Sequence, residues 1–185
     1  MKLKILEEHG YESALRGMAY SYKDRAADPD TWWLGQIEKA SKRAELLAGK
    51  DGGHNKFLES IQVWIDVEAS RAYWSEADTY RVGISKNSES TMHTLSKRAP
   101  TADDFEKDTP SEIIEAFIAC WHKYKDDVVT LKHCLPEGFL QRRIICTNYK
   151  TLRNIIAQRT GHRYKPWGSF IEQLMAQVEH PELLK

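Results

Sequence analysis

Apolar and polar residues alternate most regularly between Ile61 and Glu68, where Ile61, Val63, Ile65 and Val67 fall on one side of an extended chain and Gln62, Trp64, Asp66 and Glu68 on the other. A period of two predicts a half-buried strand. Leu3, Ile5 and Leu6 outline a second, brief one. Elsewhere the period lengthens to that of a helix. Tyr11 to Tyr22 places Leu15, Met18, Ala19 and Tyr22 on one stripe, and Trp32 to Ala48 forms a second helix that Asp30 or Thr31 can cap. Gly49-Lys50-Asp51-Gly52-Gly53 ends it, because closely spaced glycines disfavour both regular states.

Ser85 to Ser90 is a cluster of hydroxyls and amides, expected to turn the chain and cap a helix over about Ser90 to Lys97. Ala99 to Asp108 is acidic and irregular. Thr109-Pro110-Ser111-Glu112 then has the form of a capping box, with Thr109 at N-cap, proline first in the helix and glutamate reaching back. The helix that follows repeats Ile113, Ile114, Phe117, Cys120, Trp121 and Tyr124 along one stripe to be buried. A further helix opens near Pro136 and runs to Thr160, before Gly161, and a last one spans about Ser169 to Glu179. Helical segments outnumber strands and no βαβ series appears, so the expected fold is α+β: a small, largely antiparallel sheet flanked by several helices.

Composition narrows the function classes. A chain of 185 residues with 41% hydrophobic content is expected to be a single domain over 1–185. Lys plus Arg and Asp plus Glu are equal at 27 each, so no net charge recruits duplex nucleic acid or an anionic membrane, and any anion site is local. Cys120, Cys134 and Cys146 are an odd number without CxxC spacing, which fits a reducing compartment and buried or idle thiols rather than a disulfide framework. No metal site is assigned. No apolar run approaches the ~20 residues of a membrane span, and Met1 to Leu6 is too short and charged for a signal segment, so a cytoplasmic location is expected.

One helix face carries chemistry. At about 100° per residue from Asn148, Leu152, Ile155, Ile156 and Arg159 all fall within about 80° of it. An amide and a guanidinium thus share an apolar stripe, while Lys150 and Asn154 sit on the opposite, polar face. Burying an unpaired guanidinium costs several kcal/mol. Arg159 must therefore meet a carboxylate, snorkel to water, line a polar cavity, or bind an anionic or carbonyl-bearing ligand. Ser85-Lys86-Asn87-Ser88-Glu89-Ser90 permits a second local site, since a helix start with free N–H groups and several hydroxyls suits a phosphate; an ordinary polar turn fits the same residues.

The order Gly53-His54, Glu59, the strand, and then Tyr80-Arg81-Val82-Gly83-Ile84-Ser85-Lys86-Asn87-Ser88-Glu89-Ser90-Thr91-Met92-His93 resembles the flavin-dependent thymidylate synthases. That family has a histidine with a glutamate five residues on, a strand, and the signature RHRxxSxNxxSxRY. Downstream, Lys132 stands three residues before Leu135-Pro136, and Asn148-Tyr149-Lys150-Thr151-Leu152-Arg153-Asn154 with Arg159 keeps the family's N-x-R-S-L-x-N-x4-R spacing. The resemblance covers about Gly53 to Arg159.

It implies that His54, Glu59, Asn148 and Asn154 lie beside FAD, with Arg81 and Lys150 at further cofactor positions. Ser88, Ser90 and Lys132 would meet the phosphate of a pyrimidine nucleotide such as dUMP, and Arg159 its base. A fixed fork of donors facing pyrimidine carbonyls would explain a guanidinium on an apolar stripe. A folate one-carbon donor and a homotetramer with sites built between subunits are also implied. The signature is altered: RHR is Tyr80-Arg81-Val82, the late Arg-Tyr is Met92-His93, the early glutamate is Ser88, and two expected arginines are Lys132 and Lys150. Lysine keeps the charge but loses the bidentate fork, whereas tyrosine, valine and methionine lose both, leaving Arg81 and Lys86 as replacements. Three functions are open: flavin-dependent one-carbon transfer to a pyrimidine nucleotide, a catalytically silent relative that binds a nucleotide or related metabolite as regulator or sequestering protein, and a structural assembly protein.

Overall fold

The computed structural model describes all 185 residues. Its strands are β1 (Lys2–His9), β2 (Gln62–Ser70), β3 (Ile84–Ser88) and β4 (Leu140–Asn148), joined in one antiparallel sheet in the order β1-β2-β4-β3. The helices of the first half are α1 (Tyr11–Ala19), α2 (Pro29–Leu34), α3 (Ile37–Ala48), α4 (Arg71–Ala77) and α5 (Thr91–Thr94). Those of the second half are α6 (Ser111–Tyr124), α7 (Val128–His133), α8 (Tyr149–Arg159) and α9 (Pro166–Met175). This is the expected α+β architecture.

The alternation read over 61–68 is β2. Val63, Ile65 and Val67 are completely shielded while Gln62, Trp64, Asp66 and Glu68 are half-buried, so the strand is covered fully on one face. Burial of each branched side chain contributes about 1.5–3 kcal/mol, which fixes β2 in the sheet interior. β1 extends beyond Leu3–Leu6 because it is an edge strand, whose exposed Lys2, Lys4 and Glu7 hide the alternation and guard the edge.

Two segments expected as turn and helix are strands. Ile84–Ser88 is β3, the other edge, where polar side chains face water while the backbone pairs; the helix expected over 90–97 contracts to the four residues of α5. The helix expected from Pro136 to Thr160 starts only at Tyr149, because Leu140–Asn148, with its Ile144-Ile145-Cys146-Thr147 run, forms β4. Asn148 makes the switch by capping α8, its Oδ1 accepting the Thr151 N–H at 3.0 Å. The helix expected over 32–48 is two, separated at Gly35-Gln36. Its cap is Asp28, which accepts from the Thr31 N–H at 2.9 Å, in place of Asp30 or Thr31, and Pro29 takes the first helical position.

The chain divides into two compact units: Met1–Leu3, Asp66–Arg81 and Lys86–Ile144 in the first, and Lys4–Ile65, Val82–Ser85 and Ile145–Lys185 in the second. In the first, Leu95, Phe105, Phe117, Trp121, Leu131 and Leu135 form a core. Phe105, Phe117 and Phe139 meet edge-to-face with centroids 5.6–6.0 Å apart. The Trp121 indole N–H donates to the Leu95 carbonyl at 2.6 Å. The α6 stripe is narrower than expected, with Phe117 and Trp121 buried and Ile113 exposed. No side chain caps α6. The Thr109 hydroxyl lies instead against Gly138, where a Cβ would fall 2.0 Å from it.

The second unit is built around Leu15, Leu58, Leu152, Leu174 and Leu183, all nearly inaccessible. Tyr149, fully buried, donates its hydroxyl to Glu8 Oε2 at 2.5 Å and accepts the His180 N–H at 3.2 Å. Glu8 Oε1 accepts the Glu179 N–H at 2.9 Å, so one carboxylate and one phenol hold the Glu179–His180 backbone. No helix is long and apolar enough to cross a membrane, and no group of His, Cys, Asp and Glu is placed to hold a metal ion. Cys134 is exposed and Cys120 and Cys146 are half-buried, so the thiols are more accessible than expected.

Candidate functional site

In the second unit, His54 is exposed and leads into the 3-10 turn Lys56–Ser60, which packs against α8. Glu59 sits on that turn, and Lys150, in the first turn of α8, donates to its Oε1 at 2.6 Å. That hydrogen bond, the largest influence on the group, holds the Glu59 carboxyl below the usual carboxylate range. Asn154 follows Lys150 by one turn, is exposed, and accepts from Gln158 at 3.1 Å. Asn148 spends its carbonyl oxygen on the α8 cap. Beside it the Val82–Gly83 turn is tied down: the Thr147 hydroxyl donates to the Gly83 carbonyl at 2.9 Å and the Thr151 hydroxyl to that of Val82 at 3.4 Å.

Arg159 occupies the other side of α8. Its guanidinium lies over the Trp167 ring at 4.5 Å and shares a hydrogen bond with His162 Nε2 at 3.1 Å. A half-buried arginine over an indole gains roughly 0.5–2 kcal/mol from the ring face, which reconciles the charge with its apolar stripe.

In the first unit, Arg81, Ser88, Ser90 and Lys132 are all exposed. Ser90 stands at the N-cap of the four-residue α5 and makes no side-chain cap hydrogen bond. α5 does pack on α7, which carries Lys132, so Ser90 and Lys132 come from neighbouring elements. Between the serines, Glu89 is anchored to β4: its N–H donates to the Arg142 carbonyl at 3.0 Å, and its Oε1 accepts the Arg142 N–H at 3.2 Å. Lys86 is committed elsewhere, donating to Asp78 Oδ1 at 3.0 Å and to the Ala77 and Tyr80 carbonyls at 2.8 and 3.2 Å, so it does not serve as a replacement contact. Val82, at the last position of the altered triad, is 90% exposed.

Each unit also has a cavity. That of the second, about 450 Å³, is lined by Ser13, Gly17 and Ser21 of the α1 region together with His54, Lys56 and Ser60. These small residues recur every four positions, a signal overlooked when α1 is read only for its apolar stripe. The cavity of the first unit, about 520 Å³, contains Arg98, Arg142, Glu68 and Asp104 over Trp121. Its charges are largely spent on one another: Arg98 pairs with Asp104, and Arg142 with Glu68 at 3.2 Å and Asp66 at 3.5 Å.

No family model matches the chain, and no curated protein matches its sequence. Solved structures do match. Flavin-dependent thymidylate synthase ThyX from Helicobacter pylori, complexed with FAD and dUMP, superposes with a TM-score of 0.80 at 17% identity, over 100% of this chain and 98% of that one. A second structure of Helicobacter pylori thymidylate synthase X with FAD and dUMP gives a TM-score of 0.80 at 16% identity, with the same coverage. The chain shares the fold of these proteins from end to end.

Proposed function

We propose that the protein binds FAD and a pyrimidine nucleotide such as dUMP, and passes a one-carbon unit to the nucleotide in the manner of a flavin-dependent thymidylate synthase. The observation that carries this reading is the full-length likeness of fold to proteins solved with FAD and dUMP. The motif positions give it chemical content. His54, Glu59, Lys150 and Asn154 are the cofactor side together with Asn148, and the cavity beside His54 offers Lys56 and serine hydroxyls to an anionic group. Bound flavin would supply the hydride that completes the transfer.

Ser88, Ser90 and Lys132 meet the nucleotide phosphate, and the Arg159 fork meets the carbonyls of its base. The protein's part is orientation and electrostatics, with a folate supplying the carbon. Because Arg159 and the Lys150–Asn154 face lie on opposite sides of α8, a complete site draws on more than one copy of the chain, in keeping with a cytoplasmic homotetramer.

A second reading, a catalytically silent protein that binds the nucleotide or a related metabolite as regulator or sequestering protein, is favoured by Val82 and Lys86. The first presents a bare apolar side chain where the family has an arginine, and the second is tied to Asp78. Each lost charge-assisted contact removes roughly 1.5–3 kcal/mol, enough together to lower affinity by orders of magnitude. Titration of FAD and FMN followed by flavin fluorescence, with His54→Ala and Asn154→Ala as controls, separates the two. Saturable FAD binding weakened by both substitutions supports the enzyme. No binding at ~100 μM, about −5.5 kcal/mol, with dUMP still bound in calorimetry, moves the protein to the second reading.

A further inference from the structure

Arg159 closes α8, and the chain turns back on it at once. Gly161, at φ +72°, takes the left-handed conformation common just past a helix end, and the His162 N–H donates to the Arg159 carbonyl at 3.1 Å. The turn brings the His162 imidazole to the guanidinium, with Nε2 3.1 Å from Arg159 Nη1. On its other side the ring meets the Tyr164 backbone N–H, 3.2 Å from Nδ1. Trp167, almost fully buried near the start of α9, lies against the face of the guanidinium and steadies its plane. Arg159, His162 and Tyr164 are each half-buried.

The imidazole is one acceptor short. A guanidinium and a backbone N–H only donate, and a neutral imidazole has a single bare ring nitrogen to offer the two of them. A doubly protonated ring has none. With Tyr164 served at Nδ1, Nε2 carries the hydrogen and faces a second donor. With Arg159 served at Nε2, the hydrogen on Nδ1 faces the Tyr164 N–H. One acceptor brought from outside removes the conflict, because two donor atoms 3.1 Å apart both reach a single oxygen at an ordinary ~2.9 Å. Resting on the reading that Arg159 meets the base of a pyrimidine nucleotide, we infer that His162 is a second contact to that base. Its Nε2–H and Arg159 Nη1 donate together to one ring carbonyl, while the Tyr164 N–H at Nδ1 holds the imidazole in the tautomer this needs. The neutral ring adds a directed hydrogen and no charge, so it selects a carbonyl oxygen of the base and contributes nothing to holding the phosphate.

Calorimetric titration of dUMP and of deoxyribose phosphate into the full chain tests this, with a thermal melt of each variant alongside. His162→Asn keeps an acceptor for the Tyr164 N–H but has no donor at the Nε2 position, whereas His162→Gln puts an amide donor there. dUMP affinity should fall roughly tenfold in His162→Asn and recover most of that loss in His162→Gln, with deoxyribose phosphate held within about twofold of the parent by both. A second measurement needs no variant. Nitrogen NMR of labelled histidine in the parent–dUMP complex should find the His162 hydrogen on Nε2 and Nδ1 bare. Unchanged dUMP affinity in His162→Asn, equal losses for the two ligands, or the hydrogen on Nδ1 in the complex would overturn the role of His162 alone. A parent chain that binds no dUMP would overturn that role together with the nucleotide reading, so the two failures are told apart.

Discussion

Burial, and then the hydrogen bond to Glu8, push the Tyr149 hydroxyl far above the ordinary tyrosine range. The native state thus keeps a proton that the unfolded chain releases near pH 10, and the stability this represents is complete below that pH and drains away as pH rises above it. Tyr149→Phe should lower stability at neutral pH by about 1–3 kcal/mol, since Glu8 and the His180 N–H each lose a partner. It should also flatten the alkaline decline; urea unfolding at pH 7, 9 and 10.5 checks both. Gly83 is constrained differently. Its φ is +68° and a Cβ added there would fall only 2.4 Å from Thr151 Oγ1, so the bare glycine lets the turn rest on α8. Gly83→Ala should cost about 1–3 kcal/mol in the same assay, through left-handed strain and the displaced threonine.

Asn148 stands where β4 becomes α8, and its cap explains why the two elements meet there. Asn148→Ala should destabilise by about 1 kcal/mol, whereas Asn148→Asp keeps the acceptor and the stability. If the amide also donates to flavin, both variants bind FAD more weakly, and thermal melts beside fluorescence titrations separate cap from ligand contact. Elements of this kind mark the limit of what a sequence discloses. β2 was legible because its branched residues Val63, Ile65 and Val67 all face one covered side; β3 was not, because an edge strand tolerates serine, lysine and asparagine as readily as a turn does. β4 was hidden by the helical period of the α8 residues that follow. At the candidate site, the pairing of Glu59 with Lys150 lay within reach of the motif spacing, since both residues were already singled out. The Arg159–Trp167 stack was not, because the partner comes from a later helix. The capture of Lys86 by Asp78 likewise depends on how β3 lies beside the end of α4.

At the scale of the whole molecule, the proposed sharing of sites between copies predicts a tetramer in sedimentation velocity at micromolar concentration; a monomer throughout would remove the family-type site. The two compact units have a further consequence, one that concerns synthesis. Neither is a continuous stretch of chain: the second begins with Lys4–Ile65 and is completed only by Ile145–Lys185. Ribosomes add roughly 5–20 residues per second, so the early part waits on the order of 4–16 s for its missing helices. Throughout that interval Leu58, sealed in the finished fold and carried by the turn that packs against α8, has no α8 to cover it. Nascent chains arrested before residue 145 should therefore be cut readily by protease and retained by a holdase chaperone, and chains released after full synthesis should resist both.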